Sequence, residues 1–130
     1  MNRHKYEAEF EINASQKMLY PYIYTASGLA QWFADDVNVE DGNIFNFIWD
    51  GKDHKAKMIA HRSNHYVKFQ FLDDGVDHEN AGEVEMRIEK NEMTDTVFMR
   101  IIDDTEVADN EELDEVWDNL ITTLKETVGG

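Results

Sequence analysis

The segment that most constrains this chain is the last long one. Leu113, Val116, Trp117, Leu120, Ile121, Leu124 and Val128 recur at the spacing of one helix face, with Asp114, Glu115, Asp118 and Lys125 on the other. Asp109 and Glu112 form the D-x-x-E pattern of a helix start, and Gly129 supplies the stop. An apolar stripe this long has to be buried against another layer. Most of the remaining chain reads in period two, so that layer is a sheet.

Tyr6, Ala8, Phe10 and Ile12 alternate with Lys5, Glu7, Glu9 and Glu11, which predicts a half-buried strand. Asn13 or Ser15 then caps a short helix carrying Leu19, Tyr22 and Ile23, and Pro21 requires that helix to be short or bent. Ser27 reads as the cap of a second helical segment, Gly28 to Phe33, carrying Leu29, Trp32 and Phe33. Because Trp32 and Phe33 are adjacent, only one is expected to point fully inward.

Six strands follow. Asp36 to Val39 and Ile44 to Trp49 flank the turn Glu40-Asp41-Gly42-Asn43, and Asp50-Gly51 marks a second hairpin. Lys55 to Arg62 sets Ala56, Met58 and Ala60 opposite Lys55, Lys57 and His61. Ser63-Asn64 turns the chain into Tyr66 to Leu72, with Val67, Phe69 and Phe71 on one face. After the acidic stretch Asp73 to Asn80, Val84, Met86 and Ile88 alternate with Glu83, Glu85, Arg87 and Glu89. After Lys90-Asn91-Glu92, Val97, Met99 and Ile101 alternate with Thr96, Phe98 and Arg100. Links this short predict an antiparallel meander. The expected fold is α+β, a single helix-grip domain over residues 1–130. It has a curved antiparallel sheet of about seven strands, two short helices after strand one and a long C-terminal helix across the apolar face.

The charge balance narrows the partners. The chain carries 28 acidic and 12 basic residues, a net charge of −16. Nucleic-acid affinity rests on Lys and Arg at phosphates, and anionic membranes repel such a surface, so neither is an expected partner. No apolar run approaches the ~20 residues that span a bilayer. The polar start Met1-Asn2-Arg3-His4-Lys5 predicts no secretory leader. The absence of cysteine rules out disulfides, thiol nucleophiles and cysteine-bound zinc. A cytoplasmic location is expected.

Catalytic signatures are missing: no G-x-S-x-G elbow, no P-loop and no G-x-G-x-x-G. His4, His54, His61, His65 and His78 lack metalloprotease spacing, and only His61 and His65 flank one turn. The acidic runs Asp73 to Glu79 and Asp103-Asp104 through Asp109 to Glu112 do not match a calcium loop and read as solvated loops. No metal and no cofactor is expected. The inward strand faces carry almost no ionisable residue, which leans away from an enzyme.

Ala14-Ser15 with Leu19-Tyr20, and Ser27-Gly28-Leu29-Ala30-Gln31-Trp32-Phe33, fall in the pattern "A-S/T-x-x-x-L/V-Y/W" followed by "G/E-L-x-x-W-F". With Trp49-Asp50-Gly51 in a hairpin and Trp117 on the final helix, the chain resembles the START-like superfamily of helix-grip proteins. Within it, the chain is most similar to the heat-shock ATPase activator homology family. The resemblance implies an apolar cavity between helix and sheet. Members bind lipids, sterols, polyketides or plant hormones; some are cyclases or hydratases, and some act on chaperones.

The residues expected to line such a site are Phe45, Phe47, Trp49, Met58, Val67, Phe69, Phe71, Met86, Val97 and Met99 on the sheet. Trp117, Leu120 and Ile121 face them, with Trp32 at the rim. The alternative is that the same aromatics simply fill a core. The leading expectation is a non-catalytic binder of a small hydrophobic molecule. An interaction module with a protein partner comes second, and a cyclase- or hydratase-type enzyme third.

Overall fold

The computed structural model describes residues 5–41, 43–72, 82–104 and 110–129. Strand β1, Tyr6–Glu11, leads into helices α1, Gln16–Tyr24, and α2, Ala26–Leu29. Six strands follow: β2 Asp36–Val39, β3 Ile44–Trp49, β4 Lys52–Arg62, β5 Tyr66–Phe71, β6 Glu83–Asn91 and β7 Thr96–Asp104. Helix α3, Asn110–Val128, closes the chain. The strands form one antiparallel sheet in the order β1-β7-β6-β5-β4-β3-β2. The meander runs outward from β7 to β2, and β1 pairs on the far side of β7. Among the described residues no helix is long and apolar enough to cross a membrane.

The turns follow the local chemistry. Asp50 and Gly51 both have positive φ, 52° and 74°, and join Trp49 directly to its register partner Lys52. That is the backbone a two-residue primed turn requires. Ser15 caps α1, its hydroxyl accepting the Met18 N–H at 3.0 Å. Pro21 sits inside α1, which stays short at nine residues. The Pro21 carbonyl receives both the Thr25 N–H and the Thr25 hydroxyl.

Five details depart from the sequence expectations. The cap of α2 is Thr25, whose Oγ1 accepts the Gly28 N–H at 3.0 Å, and not Ser27. Regular helix ends at Leu29, and turns carry the chain through residues 30–33. Trp32 and Phe33 therefore both bury, each only 4% exposed, because a turn frees neighbours from helical spacing. The β6–β7 turn lies after Asn91, which still pairs with Thr96. On α3, Val116 is 51% exposed, while Leu113, Trp117, Ile121 and Leu124 bury. The capping Asp109 and the acidic stretch 73–80 lie outside the described residues.

The fifth departure changes a face. In β4, Met58 pairs with Phe69 but Ala60 pairs with Lys68, so Ile59 is an extra residue in a bulge. A one-residue shift exchanges the two faces of a strand. His61 thus pairs with the buried Val67 and turns toward α1, instead of joining Lys55 and Lys57. Its ring stands 5.1 Å from that of Tyr24, and Nδ1 is 3.4 Å from the Tyr20 hydroxyl. Burial pushes the Tyr20 phenol above its ordinary value, and Tyr24 adds to the shift.

Gly28 is where α2 closes on α1. A Cβ there would lie 2.2 Å from the Pro21 carbonyl oxygen and 2.7 Å from the Tyr22 Cα, both backbone atoms. Only glycine permits that approach. On the opposite face of the sheet, Arg100 lies between Glu7 and Glu89, and Lys68 meets Glu83. The inner face of the sheet, covered by α1, α2 and α3, holds the core.

Candidate ligand-binding site

The sheet residues singled out from sequence do share the inner face. Phe45, Phe47, Met58, Val67, Phe69, Met86, Val97 and Met99 are buried, as are Trp117 and Ile121 on α3. Trp49, Phe71 and Leu120 are partly buried and pack against that cluster. Trp32 is buried beside Phe33, ring centroids 5.5 Å apart, and its indole N–H donates to the Tyr22 carbonyl at 2.8 Å, which ties the turn to α1.

The aromatic members form a contiguous set. Phe33 packs against Phe47 at 5.1 Å, Trp49 at 5.2 Å and Trp117 at 5.8 Å. Phe47 touches Phe45, Phe69 and Phe71 in turn. Trp49 fixes the arrangement by donating its indole N–H to the Phe33 carbonyl at 2.8 Å. The set reaches solvent at one end, where Trp49 lies 6.3 Å from Phe71 and 5.3 Å from His54. His54 pairs with Phe47 and so lies on the inner face, which the sequence reading had not included.

The same end carries buried polar groups. Asp103 is 5% exposed and accepts the Trp117 indole N–H at 2.9 Å. The Tyr6 hydroxyl donates to Asp114 at 2.5 Å. Trp117 and Asp114 are three residues apart on α3, so these bonds tie its first half to β7 and β1. Burial pushes the Tyr6 phenol well above its ordinary range. The hydrogen bond to Asp114 and the charges of Asp114, Asp103 and Asp118 push it further.

Asp103 corrects two sequence expectations at once. It belongs to β7 rather than to a solvated acidic loop, and it is an ionisable group on the inner face. The signal was present, because Val97, Met99, Ile101 and Asp103 hold one parity. A charged residue after an apolar alternation has the same look in a continuing strand as in a solvated acidic loop. Among the described residues no group of three metal-ligating side chains occurs.

A separate surface groove of about 450 Å³ is lined by residues 11–15 and 94–97, at the other end of β1 and β7. Of the lining set expected from sequence it contains only Val97. Its remaining walls are mostly hydroxyl, amide and carboxylate, which suits an apolar ligand poorly.

The family model for the START-like superfamily domain matches residues 1–130. No curated protein matches the chain. Among solved structures, BfR322 from Bacteroides fragilis is 30% identical, with a TM-score of 0.64 over 98% of this chain and 92% of that one. The Aha1 dimer from Colwellia psychrerythraea is 19% identical, with a TM-score of 0.79 over 96% of each chain. DynU16, of the dynemicin biosynthetic locus, is 12% identical, with a TM-score of 0.76 over 96% of this chain and 47% of that one. The helix-covered antiparallel sheet and the whole-length match agree: this chain belongs to the START-like superfamily.

Proposed function

We propose that this protein binds a small hydrophobic molecule at the end of the helix–sheet seam where Trp49, Phe71, Phe33 and Trp117 converge. The observation that carries this reading is that the aromatic cluster does not seal itself at that end. Trp49 and Phe71 remain partly exposed, one ring removed from the fully buried Phe47. Large aromatic rings offer area at little entropic cost, and partly wet rings gain most when a ligand covers them. The role is binding and holding rather than catalysis.

The test is a titration with N-phenyl-1-naphthylamine, together with native mass spectrometry of freshly purified protein. The reading expects one dye per chain, quenching of tryptophan fluorescence, and weaker binding by Trp49→Ala. A folded protein that takes up no dye and carries no co-purified mass would rule the reading out.

A second reading, an interaction module, has one observation in its favour. Val116 is exposed on α3 among the acidic side chains of Glu112 and Glu115, a surface that suits a basic partner with an apolar contact. The Aha1 structure is described as a dimer, and sedimentation of this chain tests self-association directly.

A further inference from the structure

Resting on the binding reading above and deepening it, we infer that the ligand is an amphipathic carboxylate, its apolar body over Trp49 and Phe71 and its carboxylate held at the rim by Lys52 and His54. The turn at Asp50-Gly51 makes Trp49 and Lys52 register partners, so both side chains rise from the inner face. His54 pairs with Phe47 and rises from the same face one inner position further on, its ring 5.3 Å from that of Trp49. The hairpin thus sets two basic groups beside the rings at which the aromatic cluster reaches solvent. Lys52 is exposed, and His54, Trp49 and Phe71 are half-buried, so the contact forms on the outside of the cluster and no buried ring has to move.

The carboxylates near this rim are turned away or engaged. Asp36 and Asp53 both pair with Ile48 and so lie on the outer face. Asp35 accepts the Asp50 N–H at 2.9 Å. From β2 to β5 the inner-face positions hold no carboxylate. Asp103 lies three strands from β4, in the register row of Met58, Phe69 and Val84, where it accepts the Trp117 indole N–H. The outer-face Lys55 is taken by Glu40, whereas Lys52 makes no ion pair among the described residues. The Trp49 indole N–H is spent on the Phe33 carbonyl, so polar recognition at the rim falls to Lys52 and His54. A lysine lays its stem along an apolar surface while its ammonium stays in water, and an imidazole N–H adds a directional donor. Together they offer a carboxylate charge-assisted hydrogen bonds from which a neutral amide of the same shape gains less.

Three probes sharing one ring system decide the question: 1-naphthaleneacetic acid, 1-naphthaleneacetamide and 1-methylnaphthalene. Binding to the full chain is followed by calorimetry and by the NMR signals of the His54 ring. The net charge of −16 repels an anion at long range, so a preference for the acid has to come from local cations. The acid should bind about three- to tenfold more tightly than the amide, the scale of a solvent-accessible ion pair with an added hydrogen bond, and should move the His54 signals. Lys52→Gln should remove most of that margin and His54→Gln part of it, with 1-methylnaphthalene unaffected by Lys52→Gln. Lys57→Gln makes the same charge change on the outer face of β4 and should leave the margin intact.

An amide that binds as tightly as the acid, a margin that survives Lys52→Gln combined with His54→Gln, or an equal loss in Lys57→Gln overturns the carboxylate inference while the binding reading stands. Failure of all three probes, 1-methylnaphthalene included, overturns the binding reading and this inference with it. If His54→Gln does not fold, the exposed Lys52→Gln and the wild-type ranking still decide.

Discussion

The two halves of α3 cover the sheet by different means. Its C-terminal half presents Ile121 and Leu124, both fully buried, with Thr122 and Thr123 turned to solvent. That half is an aliphatic seal. Its N-terminal half presents Trp117 and is held by two hydrogen bonds, to Asp103 and from Tyr6, beside rings that reach the surface. Aliphatic packing is non-directional and closes completely, whereas aromatic and polar contacts are directional and leave edges. On the proposed binding reading, the difference gives stability to one half and recognition to the other.

The largest expected effect tests the sealing half. Leu124→Ala should cost about 2–5 kcal/mol in denaturant unfolding, the range for removing a fully buried leucine side chain, and should spare dye binding. A cost under about 1 kcal/mol would mean that the seal is loose and the contrast between halves false. Trp117→Phe comes next. It keeps a ring against Phe33 but withdraws a donor from a buried carboxylate, so about 1–3 kcal/mol should be lost. This variant should also alter binding, which Leu124→Ala should not.

Tyr6→Phe should cost about 1 kcal/mol at neutral pH through the lost bond to Asp114. It carries a pH signature as well. The folded-state pKa of Tyr6 is raised, so the fold favours the neutral phenol. That contribution is complete below the ordinary tyrosine value of about 10 and fades as pH rises through the folded value. Wild-type protein should therefore lose stability steeply in alkali, and the Tyr6→Phe variant less steeply. Identical alkaline profiles would remove Tyr6 from the account.

The smallest effect belongs to the outer face. Arg100 holds the Glu7 carboxyl below its ordinary range, through a hydrogen bond at 2.9 Å and its charge. Both groups lie in solvent, so Arg100→Gln should leave the melting temperature near that of wild type. Any difference should be present at neutral pH and vanish as acid protonates Glu7.

The alternating strands, the primed turn at Asp50-Gly51 and the stripe of α3 were legible because each is a local property. Side-chain parity, the positive φ of two residues and 3.6-residue spacing all lie within a few positions of one another. The site was legible in part. The apolar residues of the sheet's inner face follow from parity, and they pack in one cluster. His54 and Asp103 were missed because a polar residue at a strand end looks the same whether the strand continues or stops.

The misassignments share a cause. Thr25 and Ser27 are equally good caps in isolation, and the packing of Gly28 on the Pro21–Tyr22 backbone selects the helix that Thr25 starts. The Ile59 bulge leaves no mark in an alternation that looks regular. It exists because the register against β5 changes midway along β4.

By itself, then, the sequence determined the layers of this protein: which face of each strand is apolar, where the chain reverses, and that one capped helix must cover what the strands expose. Those follow from periodicity and turn chemistry, which act over a few residues. Only the tertiary structure decided that Asp103 goes under that helix with Trp117 as its donor, that His61 turns to α1, and that the aromatic seam stays open at one end. Those depend on which residues far apart in the chain come into contact, and a hydrogen bond across a buried seam is a property of two surfaces together.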